Sequence, residues 1–136
     1  QKTDEDKIII GWSERLLLVD DEKAIVKMLR KLLEKLGYIV TARSSSNDAL
    51  DVFNRNPEKF DLILTDMTMP NMTGTKLSEK IREIRPDIPV IICTGYSDQL
   101  NEEMIKEFNI QGYVKKPIVI RELANSIRKI LDQSSI

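Results

Sequence analysis

The sequence predicts an α/β fold in which a parallel sheet is covered by helices on both faces. Short apolar runs alternate five times with segments whose apolar residues recur at helical spacing. The apolar runs are continuous, which suits strands buried on both faces. Strands that alternate with helices favour a parallel sheet joined by right-handed crossovers. The length of 136 residues fits one such domain.

The first unit pairs an apolar run at residues 16–19 with a helix predicted over residues 22–36. The apolar positions expected on one face of this helix are Ile25, Met28 or Leu29, Leu32 and Leu36. Gly37 follows and is a favourable residue for ending a helix. The unit is therefore a strand, a helix and a turn.

The four later units repeat this order. Their predicted strands cover residues 38–42, 62–64, 90–93 and 112–114. Their helices are marked by Ala49, Leu50 and Phe53, then by Leu77, Ile81 and Ile84, then by Leu100, Met104 and Phe108, and last by Leu123, Ile127 and Ile130 or Leu131. Serines at 44–46 offer caps for the second helix, and Pro86 stops the third.

Composition excludes several classes of function. The 21 basic and 22 acidic residues give a formal net charge of -1, which argues against direct nucleic-acid binding. The chain has no histidine, so histidine catalysis and histidine metal ligands are excluded. No apolar run approaches the roughly 20 residues that a membrane span needs. The single cysteine, Cys93, fits a cytoplasmic protein without an intramolecular disulfide.

Polar side chains follow four of the predicted strands. Asp20 and Asp21 follow the first strand, Asp66 the third, Thr94 the fourth and Lys116 the fifth. Ligands of open parallel sheets bind at the carboxyl ends of the strands, so we expect these side chains to converge on one rim.

Three converging carboxylates repel one another and favour a bound cation. Oxygen ligands without histidine or thiolate favour Mg²⁺, or Mn²⁺ in its place, over zinc. A metal beside a carboxylate, with an ammonium and a hydroxyl nearby, suits phosphoryl transfer. A carboxylate can itself be the nucleophile and form an aspartyl phosphate.

Four motifs resemble those of response-regulator receiver domains of two-component signalling. They are LLLVDDE at 16–22, DLILTDMTMPNMTG at 61–74, VIICTGY at 90–96 and GYVKKP at 112–117. The resemblance implies a flavodoxin-like, doubly wound (βα)5 fold with a five-stranded parallel sheet in strand order 2-1-3-4-5. It implies a receiver domain at residues 14–133, with residues 1–13 as a linker or the tail of a preceding domain and 134–136 as a C-terminal tail.

The resemblance also implies a role for each residue of the rim. Asp66 corresponds to the phosphoacceptor. Asp20 and Asp21 correspond to the acidic pair that holds Mg²⁺, with Asp21 as the more direct ligand. Asp66 and the main-chain carbonyl of Thr68 complete the implied set of metal ligands.

A second group of residues corresponds to the family's switch. Thr94 and Lys116 are implied to bind the phosphoryl group, and Tyr113 is implied to rotate in response to it. Together they would alter a surface made by the fourth helix, fifth strand and fifth helix. The bond between Lys116 and Pro117 is expected to be cis.

Two further positions, Thr68 and Tyr96, correspond to sites that affect how long the phosphoryl group survives. We expect Tyr96 to shield the site from water. The implied donor is a sensor histidine kinase or a phosphotransfer domain, and parts of the chain are similar to receivers of hybrid sensor histidine kinases. The isolated domain is not expected to be an enzyme beyond its own phosphorylation and dephosphorylation. The faces of its fourth and fifth helices are compatible with a homodimer.

Other interpretations of the same residues stay open at this point. Asp20 and Asp21 could cap the first helix, Asp66 could be a turn residue, and Lys116 a solvated charge. A pseudo-receiver that binds partners without phosphorylation is one alternative function. An Asp-nucleophile, Mg-dependent phosphatase is another, but it would need an acidic residue at position 68, where the chain has Thr68.

Overall fold

Five strands alternate with five helices in the computed structural model, which describes residues 13–95 and 101–134. The strands are β1 (Arg15–Val19), β2 (Ile39–Arg43), β3 (Leu62–Asp66), β4 (Val90–Thr94) and β5 (Gly112–Lys115). The helices are α1 (Lys23–Lys35), α2 (Ser46–Arg55), α3 (Gly74–Ile84), α4 (Glu102–Glu107) and α5 (Ile120–Ser134), with a 3-10 turn at Pro57–Lys59. The predictions for residues 1–12, Tyr96, Leu100 and the last two residues lie outside the described residues.

The strands form one parallel sheet in the order β2-β1-β3-β4-β5, which confirms the predicted topology. Every residue of β3 and β4 is buried, as their continuous apolar runs predict. The register aligns the strand ends, since Asp66 pairs with Cys93 and Thr94 with Lys115. The carboxyl ends of the strands therefore share one edge.

Two apolar cores lie on opposite faces of the sheet, because successive strand residues point to opposite sides. Leu16 and Leu18 join one core, which also contains buried residues of α1 and α5. Leu17 and Val19 join the other, which contains buried residues of α2 and α3. Each fully buried leucine contributes about 1.5–3 kcal/mol relative to exposure. The two-sided core holds the strand ends in fixed positions.

Helix α1 buries most of the predicted stripe and differs from it at one position. Leu29 and Leu33 are its buried residues, while Met28 is 47% exposed and Leu32 is only partly buried. The segment has adjacent apolar pairs at 25–26, 28–29 and 32–33, so two neighbouring stripes compete for the sheet. Ile25, Leu29 and Leu36 of the expected stripe do pack in the core that α1 shares with α5, whereas the prediction of Leu32 was wrong because Leu33 is buried in its place.

Capping residues fix where the helices begin. The Ser45 hydroxyl accepts a hydrogen bond from the Asp48 amide at 3.0 Å, so one of the three candidate serines caps α2. Thr73 caps α3, and Asn101 caps α4 in the same way. Gly37, after α1, has a φ of 104°, a conformation that glycine adopts without strain.

Among the described residues, no helix combines the length and apolar character that crossing a membrane requires.

Candidate functional site

Three carboxylates meet at the carboxyl edge of the sheet. Asp20 and Asp21 follow β1, and Asp66 is the last residue of β3. One carboxylate oxygen from each lies within 4.8 Å of the others. Asp20 is only 2% exposed and Asp66 only 5%, whereas Asp21 is exposed. The cluster thus has two buried carboxylates and one carboxylate at the surface.

Lys116 reaches this cluster from the end of β5. Its ammonium lies 2.9 Å from Asp66 Oδ1 and 3.3 Å from Asp20 Oδ2. Burial alone would lower the pKa of Lys116, but the hydrogen bond to Asp66 and the charge of Asp20 raise it above the ordinary value. The lysine therefore stays protonated and neutralises part of the cluster.

Asp66 is the carboxylate that burial affects most clearly. Removal from water raises the pKa of Asp66, and the charge of Asp20 adds to this, against the opposing hydrogen bond from Lys116. Lys116 is one cation against three carboxylates, so the cluster retains net negative charge. Added positive charge would stabilise it.

The donor set fits a hard divalent cation. The clustered groups offer carboxylate oxygens, and the chain has no histidine. Cys93 lies beside them in β4, but burial raises the pKa of its thiol to about 12, so it offers no thiolate. Oxygen ligands without nitrogen or sulfur match Mg²⁺ or Mn²⁺. Thr68 lies two residues after Asp66 and is exposed.

Asp20 has a structural contact as well as a place in the cluster. Its Oδ1 accepts a hydrogen bond from the Glu22 amide at 2.9 Å, at the start of α1. Its Oδ2 faces Lys116. This bond makes a local turn before the helix, whose N-cap is Glu22 without a side-chain cap, so the capping interpretation of Asp20 is not borne out.

Thr94 ends β4, the strand beside β3 and its terminal Asp66, whereas Tyr113 lies within β5, opposite Ile92. The Thr94 hydroxyl donates to the Val114 carbonyl over 3.5 Å, and its carbonyl accepts from the Lys116 amide at 2.7 Å. Tyr113 is 49% exposed, so it projects from β5 rather than packing in the core. The Lys116–Pro117 peptide bond is cis.

Gly74, the last residue of the 61–74 motif, packs against the backbone of Asp66. A Cβ at this position would lie 2.2 Å from the Asp66 carbonyl oxygen, so no larger residue fits without movement of the backbone. The Gly74 amide donates to the Met67 carbonyl at 2.8 Å. The start of α3 is thereby held against the backbone of Asp66. The sequence signal for this contact is the position of Gly74, eight residues after Asp66 in the same motif.

Comparison with known proteins identifies the family and the fold. The family model for the response regulator receiver domain matches residues 16–128. The chain belongs to this family. Receiver domains are signalling domains characteristically phosphorylated on aspartate, and they bind Mg²⁺ at an acidic pocket. They interact with histidine kinases or phosphotransfer proteins.

Two curated relatives illustrate the match. Two-component response regulator ARR10 of Arabidopsis thaliana is 33% identical over 122 residues, which are 90% of this chain and 22% of that protein. The probable transcriptional regulator ycf27 of Cyanidium caldarium is 38% identical over 116 residues, which are 85% of this chain and 45% of that protein. The receiver chain thus spans less than half the length of these relatives.

Solved structures agree with the fold. A response regulator receiver domain protein from Clostridium thermocellum superposes with a TM-score of 0.85 at 31% identity, covering 90% of this chain and 97% of that one. A CheY-like receiver domain protein from Methanospirillum hungatei JF-1 gives a TM-score of 0.82 at 33% identity, covering 91% and 98%.

Proposed function

We propose that Asp66 accepts a phosphoryl group from the phosphohistidine of a sensor histidine kinase or a phosphotransfer domain, in a Mg-dependent reaction. The observation that carries this proposal is the buried Asp66 carboxylate, 2.9 Å from Lys116 and clustered with two further carboxylates. The arrangement supplies a nucleophile, a fixed cation and an oxygen-lined site for a second cation.

In the proposed reaction, a carboxylate oxygen of Asp66 forms a bond to phosphorus while the phosphorus–nitrogen bond of the phosphohistidine breaks. The electron pair of the broken bond stays on the imidazole nitrogen. Lys116 neutralises charge on the phosphoryl oxygens, and the Thr94 hydroxyl donates to one of them after leaving the Val114 carbonyl. The preformed contact between Lys116 and Asp66 places the ammonium close to the new bond.

The proposed metal ligands are Asp20, Asp21, Asp66 and the main-chain carbonyl of Thr68. When bound, Mg²⁺ or Mn²⁺ supplies positive charge that offsets the negative charge of the carboxylates and the phosphoryl oxygens. The exposure of Asp21 supports its role as a ligand of a cation that keeps part of its water. Asp20 is buried and contacts Lys116, so besides binding the metal it adds negative charge at the base of the site.

Thr94 and Tyr113 are proposed to transmit phosphorylation to the surface of α4, β5 and α5. Movement of the Thr94 hydroxyl away from the Val114 carbonyl would open space behind β5 for the exposed ring of Tyr113. A groove of about 340 Å³ runs along this surface and includes Ile105, Tyr113 and Ile130. A target protein or a second copy of this chain is the proposed occupant once the switch moves.

Thr68 and Tyr96 are proposed to set the lifetime of the phosphoryl group, with Tyr96 limiting access of water. A Tyr96→Ala variant is then expected to lose phosphate faster than the unaltered chain, and a slower loss would contradict this role. The proposed location is the cytoplasm. The isolated domain is proposed to catalyse nothing beyond its own phosphorylation and dephosphorylation.

A pseudo-receiver that acts by binding alone is the second candidate. The completeness of the carboxylate, hydroxyl and lysine set favours phosphorylation over it. A phosphatase with an aspartate nucleophile is less well supported, because the position two residues after Asp66 is Thr68 and offers no acid.

The test is the intact mass of the protein after incubation with acetyl phosphate, with and without Mg²⁺. One phosphoryl addition that requires both Mg²⁺ and Asp66 is expected, and Asp66→Asn is the control. No addition to the unaltered protein, from acetyl phosphate or from histidine kinases, would favour the pseudo-receiver. Labelling that persists in Asp66→Asn would show that another residue is the acceptor.

A further inference from the structure

A groove lined by cations lies between α1 and the edge strand β2, next to the end of β1 that carries Asp20 and Asp21. It encloses about 270 Å³. Its cations are Lys23, Lys27 and Arg30 of α1 and Arg43 of β2, and its apolar floor includes Val26 and Ala42. This basic groove is a second surface of the molecule with its own chemistry.

Few acids offset the charge of the basic groove. Lys23 and Lys27 are exposed, and neither forms an ion pair with any residue that the structure describes. Arg30 pairs with Glu34 at 3.2 Å, and Arg43 donates to the neighbouring Ala42 carbonyl at 2.7 Å. Since the whole chain has a net charge of -1, the positive charge is concentrated locally.

The groove runs along an open edge of the sheet. Within the described residues, β2 has a neighbouring strand on one side only. The Ile39 amide donates to Glu14, and the Arg43 carbonyl accepts from Asp20, so residues 39 and 43 face β1. Backbone groups alternate in direction along a strand, so those of Val40 and Ala42 face outward. The Val40 amide and carbonyl and the Ala42 amide are thus directed toward an added strand, whereas the Ala42 carbonyl already accepts a hydrogen bond from the Arg43 guanidinium.

We propose that the basic groove and the outer edge of β2 bind an extended acidic segment of a partner protein as a sixth strand. Backbone pairing with Val40 and Ala42 supplies affinity, while acidic side chains reach Lys27 and Arg43. The positive charge repels basic strands and attracts acidic strands more than neutral ones, which makes the edge selective. Because β1 separates β2 from the strand that carries Asp66, this binding does not require the proposed phosphorylation.

The test uses a short, fluorescently labelled peptide of alternating Glu and Val, with a Lys and Val peptide as its charge control. The whole chain is expected to bind the acidic peptide, to shift the amide resonances of Val40 and Ala42, and to bind more weakly as salt rises. Lys27→Glu and Arg43→Glu are each expected to weaken binding roughly tenfold, about 1.4 kcal/mol. Lys31→Glu is the matched control, since Lys31 is exposed on the same helix but does not line the groove. The affinity of Lys31→Glu for the acidic peptide is expected to stay within about twofold of that of the unaltered chain.

Equal weakening by Lys31→Glu and Lys27→Glu would overturn the proposal, because it would mean general attraction rather than a site. Equal binding of the two peptides would overturn it as well. Without peptide, resonances of Asp4, Glu5 and Asp6 that shift on Lys27→Glu would identify this chain's own acidic run as the occupant. A dimer that dissociates on Lys27→Glu would identify a second copy of this chain as the occupant instead. Either result would overturn the proposal that a partner protein supplies the sixth strand. Amide spectra of each variant verify that it is folded.

Discussion

Replacing Gly74 with alanine is expected to destabilise the domain and to disturb Asp66, the proposed acceptor. The new Cβ would lie 2.2 Å from the Asp66 carbonyl oxygen and 3.1 Å from the Met67 Cα, both backbone atoms. An ordinary contact begins at 3.4 Å, so the two segments must separate by about 1 Å. The hydrogen bond from the Gly74 amide to the Met67 carbonyl, now 2.8 Å, would be lost or weakened.

The cost follows from these two changes. A methyl group forced against buried backbone costs about 1–3 kcal/mol, and the lost hydrogen bond about 1 kcal/mol. The sum is roughly 2–4 kcal/mol, which for a domain of this size lowers Tm by about 10 °C. Because the moving backbone is that of Asp66, the distance between Asp66 and Lys116 changes as well. Phosphorylation by acetyl phosphate is therefore expected to slow in the variant.

Thermal and urea unfolding of Gly74→Ala measure the stability, with Gly112→Ala as the matched control. A Cβ at Gly112 would meet the Ile130 Cδ1 at 3.0 Å, the end of a flexible side chain that can move aside. Its expected cost is below about 1 kcal/mol. Equal Tm values for the two variants would refute the reasoning, as would a Gly74→Ala protein that is as stable and as readily phosphorylated as the unaltered chain.

Three further results are expected. Burial raises the pKa of Cys93 to about 12, against about 8.5 in the unfolded chain, so the unfolded state loses this proton first and stability falls from about pH 8.5 to 12. Urea unfolding should show that the free energy of unfolding of Cys93→Ala falls less over this pH range than that of the unaltered chain. An identical fall would contradict the assignment of this pH dependence to Cys93. Arg128→Met removes the partner 2.8 Å from the half-buried Glu14 and should cost about 2 kcal/mol, part of which Glu14→Gln restores in the double variant. Asp66→Asn should raise Tm in metal-free buffer, since a raised folded pKa means that the ionised carboxylate destabilises the fold above its unfolded pKa of about 3.9. Mg²⁺ should raise Tm less in Asp66→Asn than in the unaltered chain.

The sequence predicted the fold well where apolar runs were unbroken. The runs of β3 and β4 identify strands buried on both faces, and both are buried throughout. In α1, adjacent apolar pairs left two stripes, and packing against the sheet selected Leu29 and Leu33. Helical periodicity alone does not distinguish neighbouring stripes, since they differ by only about 100° of rotation.

The convergence of the site residues on one rim was also predictable, because parallel strands end at a common edge. The contacts between individual side chains of the rim were not predictable. Spacing along the chain does not reveal that Lys116 contacts both Asp66 and Asp20, or that Asp20 also binds the Glu22 amide. The close approach of Gly74 to the Asp66 carbonyl depends on how the loop before α3 folds back. Such contacts arise from tertiary packing across long sequence separations.

Chemical trapping of the acceptor tests the central claim most directly. Borohydride reduces an acyl phosphate on aspartate to homoserine, and peptide mapping then locates it. After phosphorylation by acetyl phosphate in Mg²⁺, homoserine is expected at position 66 and nowhere else. Homoserine at Asp20 or Asp21, or a phosphorylated protein that yields none, would contradict the account.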